Sequence, residues 1–86
     1  MEFREAVAYY ESQNSGLGKL FRDEVYEAVE RIKRYPNAWT PLSGDIRRCR
    51  TQRFPYGLIY EATGSEILII AVAHMHRRPE YWQNRK

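Results

Sequence analysis

Two groups of side chains carry the types and spacing that could do chemistry. The first is Arg47, Arg48, Arg50 and Arg53, a row of guanidinium groups. The second is His74, His76, Arg77, Arg78, Tyr81 and Trp82. Guanidinium groups grip phosphates and carboxylates through forked hydrogen bonds. Histidine moves protons near neutral pH. A Tyr or Trp ring can stack on a base. The combination points to a polyanion or an acidic protein as partner. Each group also has a plainer reading. A charged strand near a sheet edge resists aggregation, a histidine at a strand end is often a hydrogen-bonded structural residue, and Tyr81 and Trp82 can cap a core. Two histidines are too few for zinc, and no further ligand is evident, so neither a metal nor a cofactor is expected. Cys49 is the one cysteine. It excludes an internal disulfide and a Cys-based zinc site. With no His or acid beside it in sequence, it reads as a half-buried small residue rather than a nucleophile.

These residues need elements to hold them. The run Ile67-Leu68-Ile69-Ile70-Ala71-Val72-Ala73 is wholly apolar and far shorter than the ~20 residues that span a bilayer. Its Ile/Val content predicts a central strand covered on both faces. Such a strand would deliver His74, His76, Arg77 and Arg78 at its exit. With Arg53–Glu61 and the turn Thr63-Gly64-Ser65, it forms a hairpin. Ile46–Phe54 reads as another strand. Alternation places Arg48, Arg50 and Gln52 on one face and Arg47, Cys49, Thr51 and Arg53 on the other. No clean apolar face emerges, which predicts a strand near an edge. Pro79 suits the first turn of a short C-terminal helix reaching Arg85.

The N-terminal part supplies the cover. Phe3, Ala6, Val7 and Tyr10 recur at helical spacing, predicting a helix over 2–13. Asn14-Ser15-Gly16 ends it, and Ser15 or a neighbour can cap the next helix. Gly16-Leu17-Gly18 is no phosphate loop, because no strand precedes it. The second helix carries the stripe Leu20, Phe21, Val25, Ala28, Val29 and Ile32. Asp23, Glu24, Glu27, Glu30, Arg31, Lys33 and Arg34 fill the other positions. Glu27 and Arg31 form a favourable pair. Pro36 stops the helix, since Tyr35 before it disfavours the α region. Residues 36–45 form a connector that Trp39 and Leu42 anchor to the core. The fold class expected is α+β: a helical hairpin packed on a small antiparallel sheet of about three strands, with a short C-terminal helix.

Composition bounds the rest. The chain has 86 residues, a formal net charge of +3, and seven Tyr, two Trp and three Phe. That fits one folded domain over 1–86 with a modest core. Residues 46–86 hold Arg47, Arg48, Arg50, Arg53, Arg77, Arg78, Arg85 and Lys86 against only Glu61, Glu66 and Glu80. Basic charge therefore gathers on the sheet half. With no signal peptide and no transmembrane run, a cytoplasmic protein that makes no membrane contact is expected.

The segments Arg53-Phe54-Pro55-Tyr56, Ile59-Tyr60, Ile67–Ile70, Val72-Ala73-His74 and Arg77-Arg78-Pro79-Glu80-Tyr81-Trp82 form one pattern. Earlier come Ala6, Tyr9-Tyr10-Glu11, Gly16-Leu17-Gly18, Phe21 and Tyr35-Pro36. The pattern resembles the RelE/ParE superfamily, the toxins of bacterial type II toxin–antitoxin pairs, often labelled plasmid stabilisation proteins. The resemblance spans nearly the whole chain. It implies the helical hairpin on an antiparallel sheet. It also implies growth inhibition unless a cognate antitoxin binds, that antitoxin being small with an acidic, partly disordered segment. Two departures stand out. Members usually begin with a β-strand, whereas Met1 here lies almost inside the first helix. The sheet is then expected to keep an open edge, a site for a homodimer or for strand pairing with another chain. The messenger-RNA-cleaving branch uses basic residues on the strand before the hairpin, an Arg in the hairpin, and an Arg and a Tyr near the C-terminus. Arg48 and Arg50 match the strand positions, but Gly57 falls at the hairpin Arg, and His76 and Trp82 near the last two.

Three functions follow from the resemblance. A ParE-like inhibitor that acts by binding DNA gyrase comes first, with Arg47, Arg53, His74, Arg77, Tyr81 and Trp82 in contact with antitoxin or target. A RelE-like ribosome-dependent messenger-RNA endonuclease is the alternative. There Arg48, Arg50 and Arg78 would supply charge at the phosphate and His76 would transfer protons. An inactive truncated relic that only binds antitoxin is the third.

Overall fold

The computed structural model describes residues 3–75. The N-terminal pattern gives α1 (Phe3–Gln13) and α2 (Leu17–Arg34), followed by four strands. These are β1 (Pro41–Ser43), β2 (Ile46–Arg50), β3 (Tyr56–Thr63) and β4 (Glu66–His74). They form one antiparallel sheet in the order β1-β2-β3-β4. The class is α+β as expected, with four strands rather than three. The expected C-terminal helix lies outside the described residues.

The two helices approach closely because Gly18 has no side chain. A Cβ there would stand 2.6 Å from the Val7 carbonyl oxygen. The cap of α2 differs from the expectation. Gly16 occupies the N-cap in the left-handed region and no side chain of the turn caps the helix. Glu11, a full helix turn back, does so instead. Its carboxylate accepts the Gly16 and Gly18 N–H groups, both at 3.0 Å. An anion at a helix N-terminus satisfies free donors and meets the positive end of the dipole. The Glu27–Arg31 pair forms as predicted, at 3.2 Å.

The main core lies between the hairpin and one face of the sheet. Ala6, Phe21, Val25, Ala28 and Ile32 meet Cys49, Tyr56, Leu58 and Tyr60 there. Phe21 is its centre, with ring centroids of Tyr56, Phe54 and Tyr10 at 4.8, 5.1 and 5.2 Å. Two members of the expected layout move outward. Leu20 and Leu42 are exposed, so Leu42 does not anchor the connector. That role falls to the half-buried Trp39 ring, to Tyr60, whose hydroxyl donates to the Pro36 carbonyl at 2.7 Å, and to Arg47, which donates to the Trp39 carbonyl. Residues 41–43 pair with β2 as a fourth strand instead of forming coil.

The largest correction concerns the centre of the sheet. β4, expected to be central and covered on both faces, is an outer strand among the described residues. Leu68, Ile69 and Ile70 are 60%, 36% and 37% exposed. The buried central strand is β3, with Tyr56 to Tyr60 all buried. An extra residue in β4 breaks the pairing register, so Ile59 faces Ala71 but Tyr60 faces Ile69. The bulge shifts the alternation of β4, which explains why an unbroken apolar run shows no period of two. β2 is also shorter than expected. It ends at Arg50, and residues 51–55 turn away, tied by the Thr51 hydroxyl to the Phe54 and Tyr56 carbonyls at 2.7 and 3.2 Å.

Candidate functional site

Strand alternation sorts the arginines of the β2 region by face, and the helices decide what each face is for. Cys49 is fully buried and Thr51 nearly so, so their face of β2 turns to the helices. Cys49 is therefore more deeply enclosed than the half-buried residue expected. Burial pushes its thiol pKa up, and the nearby Arg31 guanidinium opposes this only in part. Arg47, on that same face, is anchored to the Trp39 carbonyl. Arg31 reaches across from α2 and donates to the Arg50 carbonyl at 2.8 Å.

Arg53 is held too. Glu24, expected on the polar side of α2, is instead buried and points at the loop after β2. Its Oε1 accepts the backbone N–H groups of Gln52 at 3.0 Å and Arg53 at 2.9 Å, and its Oε2 accepts Arg53 Nε at 2.8 Å. Burial works to raise the Glu24 pKa. The Arg53 side-chain and backbone hydrogen bonds, the Gln52 N–H and the Arg53 charge outweigh it and hold the carboxyl below its ordinary value. Arg47 and Arg53, both expected to contact antitoxin or target, thus carry structural duties.

Arg48 and Arg50 differ. Neither side chain has an ion pair or hydrogen bond among the described residues. Both lie on the face turned away from the helical hairpin. There they line a cleft of about 340 Å³ with Trp39, Thr40 and Leu42. Arg50 stands opposite Gly57 in the ladder, and Arg48 opposite Ile59. A Cβ at Gly57 would come within 3.0 Å of Arg48 Cγ and of Met75 Sδ. The bare glycine lets the Arg48 stem lie flat across β3, and a longer side chain there would displace it. Leu42, the cleft residue on β1, was read as part of a connector because Pro41 and Gly44 both argue against a strand.

His74 goes to the other side. It pairs with Tyr56 across the ladder, and the two rings meet edge to face at 5.0 Å. Tyr56 belongs to the main core, so His74 packs on the helix face, away from Arg48 and Arg50. His76, Arg77, Arg78, Tyr81 and Trp82 lie outside the described residues. Among the described residues no cluster of three or more His, Cys, Asp or Glu could hold a metal ion, and no helix is long and apolar enough to cross a membrane.

A helical hairpin on an antiparallel sheet, with an arginine pair left open on the far face, can be set beside known proteins. A family profile described as "ParE toxin of type II toxin-antitoxin system, parDE" matches residues 2–79. The chain belongs to the ParE toxin family. Among curated relatives, Toxin ParE2 of Mycobacterium tuberculosis is 32% identical over 76 residues, in both strain CDC 1551 / Oshkosh and strain ATCC 25618 / H37Rv. The match covers 87% of this chain and 72% of the relative. No solved structure matches the chain. As a ParE-family toxin of the type II toxin–antitoxin class it implies an antitoxin partner. The arginine pair of this ParE-family chain is well placed to bind an anion. Guanidinium groups stay protonated at all ordinary pH values, so the pair can bind and orient but cannot shuttle a proton.

Proposed function

We propose that this ParE-family chain inhibits growth in the cytoplasm by binding DNA gyrase, and that an acidic segment of its cognate antitoxin neutralises it by lying over Arg48 and Arg50. One observation carries the preference for binding over catalysis. Arg48 and Arg50, whose side chains have no ion pair or hydrogen bond among the described residues, stand on one face of the sheet, whereas the described histidine, His74, packs on the other. Cutting RNA by 2′-hydroxyl attack needs a proton acceptor and a proton donor beside the charge. Among the residues that line the cleft, Arg48 and Arg50 supply charge, and Trp39, Thr40 and Leu42 add no carboxylate or imidazole. Steering by such a pair weakens as salt rises, so antitoxin association should slow with ionic strength.

The second reading is a ribosome-dependent messenger-RNA endonuclease. The same cleft favours it, since arginines two apart on a strand, ~7 Å from each other, suit a phosphate backbone. Arg78 and His76 would then complete the site. Pulse-labelling after induced expression in a sensitive bacterium separates the two. Early failure of DNA synthesis with a DNA-damage response supports gyrase, and Arg48→Ala with Arg50→Ala should abolish it without loss of fold. Early collapse of amino-acid incorporation sinks the gyrase reading in favour of the nuclease. No effect on either process points to a relic that only binds antitoxin.

A further inference from the structure

Leu42 is a large apolar side chain that neither the core nor the strand ladder uses. The pairing of β1 with β2 runs Pro41↔Arg47 and then Ser43↔Ile46, two steps along β1 against one along β2. Leu42 is the extra residue and has no Cα partner on β2. A bulge of this kind re-aims the side chain it contains. Leu42 is 45% exposed and lines the cleft that Arg48 and Arg50 share. Trp39, the other apolar residue of the cleft, is held in place. It packs against the main core, and its carbonyl accepts Arg47. A single exposed leucine is ordinary on a protein surface. Leu42 differs by its neighbours: a fixed indole on its own side of the cleft, and across from it two arginines whose side chains have no ion pair or hydrogen bond among the described residues.

We propose that Leu42 is the residue by which the cleft selects its partner: it takes an aliphatic side chain that the acidic antitoxin segment carries beside its carboxylates. This rests on the reading that such a segment lies over Arg48 and Arg50, and it adds what distinguishes the right acidic segment from any other. Two guanidinium groups attract every polyanion. That attraction speeds encounter, but salt screens it and it discriminates little between one acidic chain and the next. An apolar side chain seated against Leu42 and Trp39 expels water, which slows release of the partner that has it. The cleft, about 340 Å³, has room for one aliphatic side chain with a carboxylate on either side. An RNA backbone would satisfy the arginines equally well, but it has no aliphatic group to seat on Leu42. A protein segment with an aliphatic residue between acids satisfies both sides of the cleft at once. Charge then governs capture, and Leu42 governs retention.

Two dye-labelled synthetic peptides test this on the intact chain by fluorescence anisotropy. One alternates Glu and Ala around a single central Leu, and the other has Ala in place of that Leu. Their charges are identical. The leucine peptide should bind at least ~10-fold more tightly. Leu42→Ala should cut that preference to under ~3-fold, and Leu42→Met, which keeps the volume, should restore most of it. Leu20→Ala, at an exposed site on α2, should leave the preference intact. Added salt should weaken both peptides in parallel, so that the preference persists. If Leu42→Ala disturbs the fold, the two peptides on the wild-type chain and on Leu42→Met still decide. Equal affinity of the two peptides for the wild-type chain overturns the proposal and leaves the acidic-segment reading standing. A preference that survives Leu42→Ala in a folded chain does the same. If neither peptide binds, or if both bind undiminished when Arg48→Ala and Arg50→Ala are combined, the acidic-segment reading itself fails and the proposal falls with it. A single-stranded RNA that displaces the leucine peptide at lower concentration also overturns it, in favour of a nucleic acid in the cleft.

Discussion

Glu24→Ala tests whether one buried carboxylate holds the loop that carries Arg53. The substitution removes the acceptor of two backbone N–H groups and of Arg53 Nε, at 3.0, 2.9 and 2.8 Å. A hydrogen bond to a charged group contributes about 1.5–3 kcal/mol. Gln52 and Arg53 are exposed, so water takes over part of the lost bonding and the lower end applies to each backbone group. The Arg53 side chain is 69% exposed, which limits the ion pair to under ~1 kcal/mol. The expected loss is therefore about 3 kcal/mol, or a fall in Tm of roughly 12–24 °C for a domain of this size. Glu24→Gln keeps one acceptor oxygen and should lose about half as much, and Arg53→Ala under ~1 kcal/mol. The effect carries a pH signature. The folded-state pKa of Glu24 lies below the ordinary carboxyl value of 4.5, so its stabilisation is complete above that value. It is lost as pH falls further, through the folded pKa. The gap between wild type and Glu24→Gln should close over that acid range and be constant near neutrality. Urea unfolding followed by far-UV circular dichroism measures all three variants. A Glu24→Ala loss under ~1 kcal/mol at neutral pH, or an Arg53→Ala loss as large as that of Glu24→Ala, would refute the reasoning.

Three further outcomes follow from single contacts. Gly18→Ala drives a Cβ to 2.6 Å from a backbone carbonyl of α1, which neither helix can yield without separating, so thermal melts should show a loss above ~2 kcal/mol. Tyr60→Phe removes the 2.7 Å bond to Pro36 and leaves the core volume intact, for a loss of about 1 kcal/mol by denaturant titration. Cys49, buried and with its pKa raised, should react with a disulfide reagent at least ~100-fold more slowly in the native chain than in urea, and equal rates would contradict its burial.

The helical hairpin was legible from the residues because helical period is local. Phe21, Val25, Ala28 and Ile32 recur every three or four positions whatever lies opposite, and Gly16 and Pro36 end the segments through their own backbone restrictions. The α+β class and the strand faces of β2 were legible for the same reason. What the chain cannot state locally is how many neighbours a strand has. Ile67–Ala73 reads as doubly covered because hydropathy records apolar surface and not its partner, yet among the described residues β4 is an outer strand and β3 the buried one. Alternation likewise separated Arg47 from Arg48 without saying which side the helices would take. Only packing decided that Arg47 and Arg53 are anchors, that His74 serves the core, and that Arg48 and Arg50 line an open cleft. Glu24 and Glu11 make the same point. Each looks like an ordinary solvated carboxylate in sequence, and each acquires its role from backbone N–H groups that only the folded chain brings within reach.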